Sequence, residues 1–481
     1  MARICAVITG PAVAAAEALA AEALRTGADL VEFRLDRIQA TRRDLLALAK
    51  AFGPQAVVSF RPNGAAPDAE TVLAACQVGF RYVDLDAGLD PEVVREASAV
   101  ARASGSVVIL SAHPQTEAAA EDVRSFVAQN RSLADVVKVA VPVASAGRAL
   151  DLVAAAIALR AEGIGACLIG MGERGRLTRA LADEMGSEIQ YVTATGAPTA
   201  PGQFDLETAR RLRRKGKFLL GVAGYPLART LSPALHNAGL AHLDLPAVYL
   251  PLPVPAEDFP RLVQAAPGLG FRGLNVTTPH KEAAAKLAGR LDDDARTTGA
   301  VNTLAFLEGE ILGHNTDVPG FADVLDAHQV PVSGKEALVL GAGGAARAVV
   351  HVLQDRGARV SVANRTASRA QELAGAFPGV ELLGLSNFEG RTFAVVVNAT
   401  PHDSPTDSPL PREAILPGGV AIDLTYPERE TRFLQEAREH GALVLDGREM
   451  LLYQAARSFE IWTGQRAPLD VLRAALGGLA A

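Results

Sequence analysis

Eight short apolar runs punctuate the first half of the chain: ICAVIT (4–9), LVEFRLD (30–36), AVVSFRP (56–62), RYVDLDA (81–87), VVILSAHP (107–114), VVKVAVPV (136–143), ACLIGMGE (166–173) and QYVTAT (190–195). Segments between them, such as AAAEALAAEALRTG, place apolar residues at helical spacing and end on a glycine suited to a helix C-cap. Eight strand–helix repeats predict a closed parallel barrel, at the small end of its size range.

Chemistry in such barrels sits at the carboxyl ends of the strands. The polar residues of these runs fall there: Glu32, Arg34 and Asp36 on the second, Arg61 on the third, His113 on the fifth and Lys138 on the sixth, with Arg179 after the seventh and Gln203 after the eighth. Lys138 is flanked by Val136, Val137, Val139 and Val141. An ammonium there costs several kcal/mol unless it is paired or gives up its proton. Taken singly, the lysine fits an edge strand or a stem reaching water, the arginines fit surface ion pairs, and the histidine fits a satisfied core residue. Converging on one mouth, they point to a lysine desolvated into an amine nucleophile for a ketone.

The pieces GADLVEFRLD, SFRP, SAH, ADVVKVAV, MGERGRLTR and APGQ resemble type I 3-dehydroquinate dehydratase over residues 1–215. The resemblance implies an imine between Lys138 and the C3 ketone, with His113 removing a C2 proton and returning one to the departing C1 hydroxyl. It implies that Arg179 pairs with the substrate carboxylate and that Glu32, Arg34, Arg61, Thr199 and Gln203 hold the hydroxyls. The family usually carries a glutamate four residues after the position of Arg61, where it orients the histidine; this chain has Ala65. The acidic residue usual after the histidine is Pro114. Glu70 is a nearby acid that could substitute.

RRLRRKGK (210–217) reads as a solvated last helical turn and a linker. Beyond it, ALVLGAGGAAR (337–347) gives a strand, a glycine turn and a helix start, continued by AVVHVLQDRGA and closed by RVSVANRT. Inside such a strand–turn–helix–strand unit the motif reads as a dinucleotide site. Gly341 permits the tight turn, Gly343 lets the backbone approach a pyrophosphate, and Gly344 and Ala345 open the helix. The second strand ends in Asn364, Arg365 and Thr366, with Arg369 beyond, where an NAD site wants an acid. Arginine there suits a 2′-phosphate, so the cofactor expected is NADP.

GYPLARTLSPALHN, GLNVTTPHK, GAVNTL, GHNTDVPGF, LGAGGAARA, ANRT, VVNAT and GREMLLYQ resemble shikimate dehydrogenase, in that family's order, over residues 218–478. The resemblance implies a catalytic Lys281–Asp317 pair passing a proton to the developing alkoxide. It places Thr230, Ser232 and Tyr426 on the carboxylate, Thr277, Asn302 and Gln454 on the ring hydroxyls, and Asn398 and Thr400 beside the cofactor. His280 and His314 read as structural, Trp462 as packing, and residues 400–413 as a mobile loop.

The fold class expected is α/β: a (β/α)8 barrel over 1–215, then a two-lobed unit. A substrate lobe over 216–316 is completed by 447–481, and a Rossmann NADP lobe spans 317–446. The joint reading is 3-dehydroquinate dehydration followed by NADPH-dependent reduction of 3-dehydroshikimate to shikimate. Three other readings stay open on the residues alone. They are an oxidative quinate/shikimate oxidoreductase, another Schiff-base barrel of aldolase type, and a barrel reduced to a scaffold. Net charge −7 removes the basic footprint of nucleic-acid binding. Glu17 and Glu22 break the Ala-rich stretch after the first run, against a signal peptide or a membrane span. Cys5, Cys76 and Cys167 show neither metal nor disulfide spacing, which suits a reducing cytoplasm. Partners expected are the small substrates, without metal, nucleic acid or membrane, and a homodimer as the oligomeric form.

Overall fold

The computed structural model describes residues 1–10, 12–61, 69–194, 198–227, 230–385, 388, 390–426 and 429–477. Contacts divide the chain into two compact units, Met1–Leu219 with Pro246–Leu262, and Leu220–Leu245 with Val263–Ala481.

The first unit holds eight parallel strands: β1 (Arg3–Ile8), β2 (Leu30–Arg34), β3 (Ala56–Phe60), β4 (Tyr82–Asp86), β5 (Val107–Ala112), β6 (Val136–Pro142), β7 (Ala166–Met171) and β8 (Ile189–Thr193). Their order is β7-β6-β5-β4-β3-β2-β1-β8. Each strand stops a residue or two before the apolar run did, so Asp36, Arg61 and His113 stand just past strand ends. The expected closure is incomplete: among the described residues no ladder joins β7 to β8. Side chains fill that seam instead. The Thr178 hydroxyl accepts the Gly170 N–H at 2.9 Å, and Cys167 Sγ reaches the Ile189 carbonyl at 3.5 Å.

Register explains what meets inside. Glu32 pairs across to Val57, and Val57 to Tyr82; Asp84 pairs to Ile109, and Ile109 to Val136. In an eight-stranded barrel the level advances about two residues over two strands, and alternate strands share a layer. Glu32, Asp84 and Lys138 therefore lie in one layer of even strands, which Tyr191 of β8 completes. Below it, Leu30, Val57, Tyr82, Ile109, Val136, Cys167 and Ile189 form an apolar floor. On β2 and β4 an apolar base residue is followed by polar ones two and four residues further on, Leu30 by Glu32 and Arg34, and Tyr82 by Asp84 and Asp86.

The second half begins with β9 (Phe218–Gly224); β10 (Ala247–Pro253) follows in the segment grouped with the first unit. Then come β11 (Phe271–Val276), β12 (Arg290–Leu291), β13 (Thr303–Leu307) and β14 (Glu310–His314), in the spatial order β9-β11-β13-β14-β12. Antiparallel ladders join β11 to β13 and β13 to β14.

A third sheet contains β15 (Glu336–Leu340), β16 (Arg359–Ala363), β17 (Glu381–Leu383), β18 (Phe393–Asn398), β19 (Ile415–Asp423) and β20 (Leu443–Leu445). It is parallel in the order β17-β16-β15-β18-β19-β20, the doubly wound arrangement, which switches direction beside β15. Alternate residues of β15 serve opposite cores, Ala337 and Val339 on one face, Leu338 and Leu340 on the other.

Helix Gly447–Thr463 carries Trp462 in its last turn, and the indole N–H donates to the Leu304 carbonyl at 2.9 Å. A Cβ at Gly273 would stand 1.9 Å from that indole nitrogen. The ring is held by its hydrogen bond and cannot retreat. Gly273→Ala is expected to cost about 1–3 kcal/mol, the penalty of overpacking a filled core. Urea unfolding followed through the fluorescence of the single tryptophan measures it, and an unmoved midpoint would count against this packing account.

Candidate active sites

The barrel mouth gathers all eight of its expected residues. Glu32, Arg34, Arg61, His113, Lys138, Arg179, Thr199 and Gln203 line one cavity, with Tyr191 and Met171. Lys138 is 1% exposed, yet it does not solve its burial by standing alone among valines. Its Nζ donates to Asp84, itself buried, and lies 4.5 Å from the centre of the Tyr191 ring. The expectation of a lone, desolvated amine is thereby corrected to a buried ion pair. Burial of a charge without such a partner would cost far more than the pair does.

The arginines divide into two kinds. Arg34 is matched: its Nε and Nη2 donate to Asp36 at 2.7 and 2.6 Å. Arg61 and Arg179 instead keep a buried Nε with no hydrogen-bond partner. Burial brings the Arg179 guanidinium down to about 10, with Arg176 and Arg61 adding repulsion. Two guanidinium groups with no carboxylate partner among the described residues have the chemistry to receive an anion at the mouth. Gln203 is not a free ligand; its Oε1 accepts from the Thr199 hydroxyl at 2.6 Å and from the Thr199 N–H at 3.0 Å, pinning the loop.

His113 Nδ1 lies 2.9 Å from Asp86 Oδ2. Burial lowers the imidazole below its ordinary range, with Asp86 working the other way. Glu70, the substitute expected from sequence, is exposed on helix Ala69–Gln77. Ala65 lies outside the described residues. Asp84 and Asp86 were missed in the sequence. Their signal was the period-2 spacing of YVDLD, which turns both carboxylates to the interior face.

In the second unit a cavity of about 600 Å³ is lined by Thr230, Ser232, Thr277, Lys281, Asn302, Asp317, Tyr426 and Gln454. That volume accommodates a small ring acid together with part of a second ligand. Lys281 Nζ donates to Asp317 Oδ2. Asn302 Nδ2 donates to Asp317 Oδ1 at 2.8 Å and to the Thr316 hydroxyl at 3.0 Å, while Asn302 Oδ1 accepts the Thr316 N–H at 2.7 Å. Asn302 therefore fixes the carboxylate as well as lining the cavity. Ser458 stands behind it, within 3.1 Å of both Thr303 and Thr316 hydroxyls. His280 and Trp462 are buried.

The glycine turn opens on the same cavity through Gly343, Gly344 and Ala345, with Arg369. Gly341 adopts φ +112°, and a Cβ there would meet the Ala399 carbonyl at 3.0 Å, so glycine is required. Gly343 precedes helix Gly344–Asp355, whose first N–H groups carry no side-chain cap. These features fit a dinucleotide pyrophosphate. Arg365, just past β16, and Arg369, in the helix Ala367–Ala376 that follows, are exposed, and among the described residues no carboxylate is seen to pair with either. Asn364 does not reach out: its Nδ2 donates to the Thr366 carbonyl at 2.8 Å. Of the two residues expected beside the cofactor, Asn398 is turned inward and Thr400 is half-buried. Asn398 Nδ2 donates to Asp423 at 3.0 Å, and its Oδ1 accepts the Thr400 hydroxyl at 2.6 Å. A fully buried amide at a strand end must satisfy all its groups within the protein, which explains the inward turn.

The folds and sites define a class: a lysine-centred parallel barrel joined in one chain to a dinucleotide-dependent oxidoreductase. The family model of type I 3-dehydroquinase matches residues 4–215. Models of the shikimate dehydrogenase substrate binding domain, of shikimate / quinate 5-dehydrogenase and of the shikimate 5'-dehydrogenase C-terminal domain match 222–304, 325–428 and 447–476. A chloroplastic bifunctional 3-dehydroquinate dehydratase/shikimate dehydrogenase of Arabidopsis thaliana is 31% identical, over 92% of this chain and 79% of that protein. A shikimate dehydrogenase (NADP(+)) of Carboxydothermus hydrogenoformans is 40% identical over 54% of this chain and 96% of its own length. The structure of shikimate 5-dehydrogenase from Thermus thermophilus in complex with NADP(H) and shikimate superposes with a TM-score of 0.51, at 40% identity, covering 55% of this chain and all of that one. The chain belongs to the bifunctional 3-dehydroquinate dehydratase/shikimate dehydrogenase family.

Asp317→Asn is expected to lower the turnover of ketone reduction by about 10²-fold, the scale of a lost proton-transfer partner. Steady-state NADPH oxidation measures it; wild-type turnover would remove Asp317 from the reaction.

Proposed function

We propose that the barrel dehydrates 3-dehydroquinate to 3-dehydroshikimate and that the second unit reduces this product to shikimate with NADPH. The observation that carries the reading is a lysine paired with a carboxylate in each of two cavities, Lys138 buried with Asp84 and Lys281 half-buried with Asp317. In the barrel, Lys138 hands its proton to Asp84, and the neutral amine adds to the C3 ketone. Loss of water from the adduct gives a protonated imine, stabilised by the carboxylate beside it. His113 Nε2 takes a C2 proton, and the electron pair flows into the imine. The C1 hydroxyl then leaves as water with a proton from His113, and hydrolysis of the imine frees Lys138. Arg179 holds the substrate carboxylate throughout, with Glu32, Arg34, Arg61, Thr199 and Gln203 around the hydroxyls.

In the second unit NADP is the cofactor, and when bound as NADPH it supplies the hydride for the C3 ketone. Lys281, oriented by Asp317, donates a proton to the oxygen where negative charge develops. Thr230, Ser232 and Tyr426 hold the carboxylate, and Thr277, Asn302 and Gln454 the ring hydroxyls. Gly341, Gly343, Gly344 and Ala345 receive the pyrophosphate, and Arg365 and Arg369 the 2′-phosphate. The lobes of this reading are 216–316 completed by 447–481, and 317–446, after a barrel of 1–215. Helix Gly447–Thr463 supports that division, since it returns Gln454 to the cavity and Trp462 to β13. A cytoplasmic setting belongs to the reading, supported by three free, buried cysteines. A homodimer is its oligomeric form, to be read by light scattering.

The test is NADPH oxidation by the protein given 3-dehydroquinate alone, with 3-dehydroshikimate in parallel. Both should consume NADPH. Lys138→Ala should abolish the first reaction and leave the second intact. If 3-dehydroquinate fails with wild-type protein, the barrel half of the proposal is wrong; if 3-dehydroshikimate fails, the reductase half is.

A further inference from the structure

His113 is the barrel's proton carrier in the reading above, and a histidine base needs a fixed tautomer. None of the acids considered from the sequence supplies that: Glu70 is exposed, and Pro114 has no acid to offer. We infer that Asp86, at the carboxyl end of β4, is the positioning carboxylate of the dehydratase: it accepts the Nδ1–H of His113 and leaves Nε2 as the base on the cavity side. The inference rests on the dehydratase reading.

Three observations carry it. The Asp86 Oδ2 to His113 Nδ1 distance is 2.9 Å, a full hydrogen bond. The other carboxylate oxygen, Oδ1, accepts the Gly88 N–H at 2.8 Å, so the acid cannot swing away. His113 Nε2 is buried with no partner, on a ring that lines the cavity with Lys138. An imidazole tied at one nitrogen and vacant at the other is oriented for work at the vacant one.

The charges facing this pair come from three neighbouring strands. Arg61 stands at the end of β3, Asp84 lies on β4, and Lys138 lies on β6. Burial, Lys138 and Arg61 favour the neutral ring, while Asp86 and Asp84 favour the protonated one. Burial works against the Asp86 carboxylate, but the bonds from His113 and Gly88 and the charge of Arg61 together hold it below the usual range. Asp86 is then ionised at neutral pH and His113 is neutral, the forms the reaction starts from. The sign follows. The base form is lost as pH falls through the imidazole's depressed value, so the acid limb of the dehydratase profile lies below 6.5.

The substitution that separates positioning from packing is Asp86→Asn. With its oxygen kept on Gly88, the new amide turns an NH2 toward Nδ1. The ring must then accept at Nδ1 and carry its proton on Nε2, where no base remains. Dehydratase kcat is expected to fall on the order of 10²-fold or more with KM little changed. The acid limb of the residual activity should move further down, since a charge that favoured the protonated ring is gone. Asp86→Glu should recover part of the rate. Borohydride, which reduces the imine, should still trap the substrate carbon skeleton on Lys138 of Asp86→Asn, seen as a mass adduct, and NADPH-linked reduction of 3-dehydroshikimate should be unchanged. Wild-type kcat and pH profile in Asp86→Asn would overturn the role of Asp86 alone. Loss of trapping together with kcat would overturn it in favour of a structural one. Wild-type protein with no dehydratase activity would overturn the dehydratase reading and this role with it.

Discussion

A cation inside a parallel barrel must find its anion at its own level, because neither water nor a flexible loop reaches it there. Lys138 finds Asp84, two strands away, through the stagger of the sheet. Everything above that pair is arranged on what it leaves unsatisfied. Arg34 is neutralised by Asp36 and helps to build the wall. Arg61 and Arg179 each keep a buried Nε without a hydrogen-bond partner among the described residues. Matched charges make the scaffold and unmatched charges make the binding site.

The second unit applies the same rule with hydrogen bonds in place of a barrel layer. Asp317 meets Lys281 from helix Asp317–Ala327, while Asn302, Thr316, Thr303 and Ser458 close a buried polar network behind it. Each member spends donors and acceptors on the others, and the carboxylate is fixed without a second charge. The helix that supplies Ser458 also supplies Gln454 to the cavity, so backing and lining move together.

What the sequence disclosed and what it hid follow one physical line. The glycine turn was legible because Gly341 answers a backbone demand, φ +112° beside the Ala399 carbonyl, which only one residue type meets cheaply. The barrel was legible because its runs repeat, and Lys138 because valines surround it in the chain. Asp84 and Asp86 were not. Aspartate in YVDLD reads as ordinary polarity until register sets it beside β6 and the end of β5, and register is a property of three strands at once. Asn398 shows a bond pattern that the sequence did not disclose. It sits where a cofactor residue is expected, but burial leaves its amide obliged to Asp423, His402 and Thr400. The open seam between β7 and β8 was hidden for the same reason as Asp84, since it depends on a hydroxyl from a separate helix.

The two lysines show how one pair of residue types serves opposite tasks. In the proposed reactions Lys138 has to shed a proton before it can attack a carbonyl, and Lys281 has to keep one until an alkoxide forms. The difference lies in the second oxygen of each partner. Asp317 Oδ1 accepts from Asn302, so donors other than the lysine stand on that carboxylate, and its negative charge is supported when Lys281 turns to the substrate. Asp84 Oδ1 is buried without a donor, so Lys138 is what its charge rests on, and a proton crossing that contact leaves no other hydrogen bond to break. One carboxylate is thus held from two sides and the other by its lysine alone.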